Sequence, residues 1–384
     1  MSNQTPASNR GRIDADEILA GIREWVEIES PSHDAAAVNR MADRVETDFR
    51  SVGAAIERQD GRDGFGDLLI ARSAWGDHSQ PGILVLSHID TVHPIGMLKR
   101  LPFKREGDTV YGPGIYDMKS GAYLAFYAYR HLVREGAETP LPITFMFVPD
   151  EEVGSNTTRE MIERAARNAK YVLVTEPARD GGKIVTARKG VGRFAVRLTG
   201  RPSHAGVRHE DGRSAIREAA RQVLDIEAMT DYARGITVNV GIIKGGTGVN
   251  VVPEECEFEV DLRVPDTTTG EEMTARLLGL KAYDADVRLA VEGGMNRPPF
   301  RKDEGIARLF DHAKACAAEI GFELKDVPLT GGGSDGNFTA ALGIPTLDGL
   351  GADGKGAHTD YEQIKYSSLE ERAKLMLKLF ETLT

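Results

Sequence analysis

The sequence predicts an α/β protein: a mostly parallel sheet sandwiched by helices, interrupted by an inserted ferredoxin-like α+β domain. Three observations carry this. Short apolar runs rich in β-formers, at 83–87, 142–148 and 171–175, end in polar residues and alternate with helical patterns, as strands buried on both faces of a parallel sheet do. The stretch 190–297 changes character and reads strand, helix, strand, strand, helix, strand, the order of a ferredoxin-like unit. At 384 residues the chain is also long for one core, and a little over 100 residues suits an inserted domain. The expected division is therefore 1–189 with 298–384 as one domain and 190–297 as the second.

Each element has its own reason. Residues 13–29 space Ile18, Ile22, Trp25 and Ile28 along one helical face, and 35–52 form a second helix stopped by Gly53. Residues 54–59 and 68–72 read as strands. The short buried strand 83–87 runs straight into His88-Ile89-Asp90-Thr91-Val92. A long loop leads to the Gly/Pro-rich stretch 111–121, and helix 123–134 follows. Strand 143–148 ends in Pro149-Asp150-Glu151-Glu152, then comes helix 157–168, then strand 171–175 ending at Glu176-Pro177. In the inserted stretch, 191–199, 236–243, 256–264 and 286–291 read as strands, and 213–229 and 271–280 as helices. Alternation then resumes with helix 303–320, strand 323–327, helix 335–342, strand 344–347, a Gly-rich loop holding His358, and a last helix from Leu369.

Composition narrows the function. A formal net charge of −11 argues against a nucleic-acid surface, and part of it suits carboxylates that a bound cation would offset. Cys256 and Cys316 stand far apart in no metal-type spacing, so thiolate zinc chemistry is not expected. No apolar stretch approaches membrane-spanning length, and the polar residues 1–12 offer no signal-peptide core, so a cytoplasmic location is the default expectation. There is no internal repeat.

Sites in open α/β sheets form at the carboxyl ends of strands. His88, Glu151, Glu152 and Glu176 all fall at such ends, and Asp117 sits just before a helix. Three consecutive acids after a buried strand repel one another. They belong either to a solvated loop or beside a cation.

Taken together and in order, Ser87-His88-Ile89-Asp90-Thr91-Val92, Gly114-Ile115-Tyr116-Asp117-Met118-Lys119-Ser120-Gly121, Asp150-Glu151-Glu152-Val153-Gly154-Ser155, Glu176-Pro177, Ser203-His204-Ala205-Gly206 and Gly356-Ala357-His358-Thr359 resemble the two-zinc metallopeptidase family of carboxypeptidase G, aminoacylase and succinyl-diaminopimelate desuccinylase. Glu176 and Thr330-Gly331-Gly332-Gly333-Ser334-Asp335 resemble its glutamate carboxypeptidase branch most. The resemblance implies a zinc-peptidase-like catalytic domain and a homodimer through the inserted lid domain. It implies that His88 and Glu176 hold one zinc, Glu152 and His358 the other, and that Asp117 bridges them. Three carboxylates against two dications leave one positive charge, which favours a bridging hydroxide as the nucleophile. Asp90 would accept the other His88 ring N–H, and Glu151 would be the general base. His204 would reach a neighbouring subunit's site and polarise the scissile carbonyl. Asn250, Arg263, Arg297 and Gly333 would bind a substrate carboxylate, although each arginine also fits an ordinary surface ion pair.

The expected function is release of a C-terminal amino acid, Glu or Asp among the first candidates, from an N-acyl or peptidyl substrate. The rivals are another C–N bond (desuccinylation, ureido or aryl-amine hydrolysis) and a catalytically silent metal-binding protein. Manganese or cobalt competes with zinc, because mixed imidazole–carboxylate sites do not fix the metal. His78, His93, His131, His209 and His312 match nothing and read as surface or core residues.

Overall fold

Side-chain parity within the strands decides how the first unit is layered. The structure, a computed structural model, describes residues 11–384; residues 1–10 of the polar stretch at the start of the chain lie outside the described residues. The chain divides into two compact units, one running up to Thr186 and resuming over Lys302–Pro328 and Ser334–Thr384, the other Ala187–Arg301 with Leu329–Gly333.

The first unit holds a six-stranded sheet in the order Ala55–Gln59, Leu68–Arg72, Ile143–Val148, Gly82–His88, Ala169–Val174, Thr346–Leu347. The first two pairings are antiparallel and the remaining three parallel. Successive residues of a strand point to opposite faces. Ile83, Val85, Phe145 and Phe147 therefore join Trp25, Phe49, Phe126 and Phe380 in the larger core. Leu84, Leu86, Met146 and Val148 face a smaller one with Ile162 and Phe338. All seven residues of Gly82–His88 are buried, as expected of a central strand covered on both sides.

Two predicted strands of the return segment are shorter than expected. Asp326–Val327 pairs only with Ile184–Val185, outside the main sheet, and the edge strand is reduced to Thr346–Leu347. A further small sheet had no signal in the sequence. Gly354–Lys355, Gln363–Lys365, Thr109–Tyr111 and Lys104–Glu106 pair antiparallel in that order. Strands of two or three residues are too short to show a period, and their pairing joins segments some 250 positions apart.

The second unit has the order strand Gly190–Thr199, helix Ala215–Glu227, strands Thr237–Gly245 and Glu255–Val264, helix Thr267–Leu278, strand Arg288–Arg297. Its sheet is wholly antiparallel. Gly190–Thr199 and Glu255–Val264 lie in the middle, with Thr237–Gly245 and Arg288–Arg297 at the edges. One face packs Phe194, Val196, Phe258, Val260 and Leu262 against Ala219, Ile226, Met273 and Leu277 of the two helices. No helix among the described residues is long and apolar enough to cross a membrane.

Candidate metal centre

Strand ends, zipped together by backbone hydrogen bonds, set the first ligands. Ile89 N donates to Val148 O at 3.0 Å and Thr175 N to Leu86 O at 3.1 Å, so the chain leaves three adjacent parallel strands side by side. His88, Glu151 with Glu152, and Glu176 emerge from these three ends. Asp117 arrives on a kinked turn, Ile115–Lys119 with Gly114 before it, in which Asp117 and Met118 leave helical geometry, and the turn feeds the helix Ser120–Arg134. Gly121 opens that helix so close to the third strand end that a Cβ there would lie 1.9 Å from Thr175 O, so only glycine admits the approach. His358 lies in the loop between Gly354–Lys355 and Gln363–Lys365. The pairing of Gln363 with Tyr111 docks this hairpin beside the chain that leads to Asp117.

The Asp117 carboxylate lies between two imidazoles. Its Oδ1 is 3.1 Å from His88 Nε2, and its Oδ2 is 3.3 Å from His358 Nε2. Glu176 Oε1 is 3.8 Å from His88 Nε2, and Glu152 Oε2 is 3.0 Å from His358 Nε2. The structure therefore brings all five expected ligands together in the first unit. Single ligand atoms of His88, Asp117 and Glu152 lie within 4.8 Å of one another, and so do those of His88, Glu151 and Glu176. Geometry alone thus leaves Glu151 as near to His88 and Glu176 as a ligand would be.

Electrostatics fit a cationic occupant. Burial alone would depress the His88 imidazole, but hydrogen bonds to Asp117 and Asp90 outweigh it and hold the ring well above its ordinary value. Hydrogen bonds to Asp117 and Glu152 push His358 up to about 11. Burial works against the Asp117 charge, yet the two imidazoles hold its carboxyl far below the usual range. Burial and the neighbouring Asp117 charge push Glu152 up to about 8. Glu152 Oε1 is buried with no hydrogen-bond partner among the described residues. A buried carboxylate oxygen without a donor is costly, and imidazole nitrogens with carboxylate oxygens are the donor set that zinc and its neighbours take in open sites. The residues present fit a metal.

Asp90 approaches His88 Nδ1 with two groups, its main-chain carbonyl at 2.9 Å and its carboxylate at 3.4 Å. The carboxylate also accepts Ser32 Oγ at 2.7 Å and the backbone N–H groups of Glu151 and Glu152, each at 3.2 Å. It therefore fixes the His88 segment and the acidic run with one group. The acidic run is also less crowded than three consecutive acids suggest. Asp150 is wholly buried and turns to Thr157 and Thr158, whose N–H and hydroxyls donate to it at 2.5 to 2.9 Å.

Sequence reasoning missed Glu362 and His93. Glu362 is fully buried and accepts from the backbone N–H groups of Gly114, Tyr116 and Asp117 and from His93 Nε2. Their positions, Glu362 four residues past His358 and His93 three past Asp90, are the only signal the sequence carries. Lys119 is also buried, with Nζ 2.5 Å from Ile28 O, and burial brings it down to about 7.

The remaining expected residues belong to the second unit, where they form two groups. His204 is exposed on the ribbon Ser203–His204 paired with Val251–Val252, and Ala205 N donates to Asn250 O at 2.9 Å, so His204 and Asn250 are neighbours. Arg263 and Arg297 share one row of the sheet, both pairing with Val191. Gly333 packs on this row, since a Cβ there would meet Val191 and the Arg297 side chain at 2.8 and 2.9 Å. Arg263 makes the ordinary ion pair, with two bonds to Asp261 at 2.7 and 2.8 Å. It also reaches Gly331 O at 3.3 Å.

The family model described as peptidase family M20/M25/M40 matches residues 84–382. Carboxypeptidase G2 of Pseudomonas sp. (strain RS-16) is 31% identical over 374 residues, covering 94% of this chain and 88% of the relative. Succinyl-diaminopimelate desuccinylase of Psychrobacter sp. (strain PRwf-1) is 27% identical over 347 residues, covering 85% of each. Among solved structures, aminopeptidase PepT of Bacillus cereus superposes with a TM-score of 0.73 at 25% identity, covering 96% of this chain and 99% of that one.

Proposed function

Because this chain belongs to peptidase family M20/M25/M40 and is a metal-dependent hydrolase, we propose that it releases a C-terminal amino acid from an N-acyl or peptidyl substrate. The carrying observation is the Asp117 carboxylate set between His88 and His358, with Glu176 beside the first imidazole and Glu152 beside the second. His88, Asp117 and Glu176 would hold one divalent cation, and Asp117, Glu152 and His358 a second, zinc before manganese or cobalt. Such cations polarise a carbonyl and bring the pKa of water towards neutrality. Glu151 takes the proton of the attacking water and passes it to the leaving amine nitrogen. Its backbone is pinned to Asp90, which keeps the carboxylate at the site. His204 donates to the carbonyl oxygen as charge develops there. We place it in trans, across a homodimer made by the second unit, whose edge strand Thr237–Gly245 exposes Ile242 and Ile243.

Arg263, Arg297, Asn250 and Gly333 would receive the free carboxylate. A substrate carboxylate would displace Asp261 from Arg263; two arginines suit a residue with two carboxylates, so Glu or Asp is the expected product, and the relative named carboxypeptidase G2 supports a carboxypeptidase. The relative named as a desuccinylase keeps another C–N bond open. Substrate charge decides between them. Amidation of the α-carboxyl should cost more than about 2 kcal/mol in kcat/KM, the scale for leaving a buried charged group unpaired. Comparable hydrolysis of acid and amide would exclude carboxypeptidase action.

A further inference from the structure

We propose that Glu362 and His93 form a buried positioning pair that sets the backbone of the Asp117 turn and thereby the metal affinity of the centre. The proposal rests on the reading of the five-residue cluster as a metal centre. The geometry concerns one carboxylate. Glu362 Oε1 accepts Tyr116 N at 2.8 Å and Asp117 N at 2.9 Å, and Oε2 accepts Gly114 N at 2.8 Å and His93 Nε2 at 2.6 Å. A carboxylate offers about four acceptor sites, and all are taken. Three of the four donors belong to the turn that carries Asp117. Such a group is tolerable at zero exposure because every lone pair is satisfied.

Glu362 also lies four residues after His358, on the hairpin that presents that imidazole. One side chain therefore ties the segment of one ligand to the backbone of the bridging ligand. Among the described residues, the Glu362 carboxylate bonds to backbone N–H groups and to His93, and Asp117 is reached through its N–H. Both act through another residue. Glutamine at 362 would keep the shape but would turn an NH₂ towards two N–H donors, so the turn must shift. Loss of the His93 donor would leave one lone pair of Oε2 unsatisfied.

Metal affinity of the full-length protein, measured by competition with a chelator, tests this with Glu362→Gln, His93→Leu and His93→Gln. Glu362→Gln and His93→Leu should bind zinc about 10–100-fold more weakly, the usual effect of removing a partner behind a ligand. They should also change the visible spectrum of the cobalt-loaded protein. His93→Gln, which can still present an N–H to Oε2, should stay close to wild type in both. Wild-type affinity and spectrum in Glu362→Gln and His93→Leu, with only a lower melting temperature without metal, would overturn the proposal and leave the pair a packing device. Should Glu362→Gln fail to fold, the two His93 variants decide by the same criterion. A wild-type chain that binds no metal would overturn the metal-centre reading and this proposal with it.

Discussion

Glu151→Gln should retain the metals and lose turnover by about 10²–10⁴-fold, the range supplied by a positioned general acid–base group. The substitution removes the proton acceptor and little else. The backbone N–H of residue 151 still donates to Asp90, and all five proposed ligands remain. Glu152→Gln should behave in the opposite way and deplete a metal first. Its Oε2 is 3.0 Å from His358 Nε2, and its other oxygen is buried without a hydrogen-bond partner among the described residues. Metal analysis beside rates on the two variants separates base from ligand. Equal metal loss in both would sink the assignment, since single atoms of His88, Glu151 and Glu176 already lie within 4.8 Å of one another.

The second large effect is complementation between dead subunits. His204→Ala should lose activity on the scale of a missing oxyanion donor, about 10²–10³-fold. Mixed by subunit exchange with inactive Glu151→Ala, it should regain activity. In a heterodimer one site receives Glu151 from one chain and His204 from the other. Random pairing makes about half of the dimers mixed, each with one complete site of two, so about a quarter of wild-type activity should return. A mixture that stays inactive would place His204 in cis, and a chain monomeric at assay concentration would rule out the scheme before mixing.

Much of this was readable because the chemistry sits where the sequence pattern is strongest. Gly82–His88 and Ile143–Val148 are buried almost throughout, so their residues must be apolar and β-forming, and a His or an acid at the end of such a run stands out. Asp117 was readable locally only as an acid before a helix, and His358 only by resemblance. Nothing local says that a turn at 117 meets a loop at 358. That meeting depends on strands of two or three residues and on Glu362, whose single carboxylate collects donors from far along the chain. Long-range satisfaction of a buried charge leaves no periodic trace. A different limit hid Asp150, which reads as a third member of an acidic cluster yet is consumed locally by Thr157 and Thr158, with no period to mark the turn between them. It also hid the Asp261 partner of Arg263, because residues two apart on a strand look alike whether paired or free.

The central claim is that the cluster around Asp117 is a hydrolytic metal centre. The most direct measurement is release of free amino acid from a panel of N-acyl amino acids and dipeptides, by protein stripped with a chelator and then titrated with zinc. The account predicts no release from the stripped protein and activity that climbs to a plateau near two equivalents of metal per chain. Release unaffected by stripping, or tight metal binding with no release from any member of the panel, would contradict it.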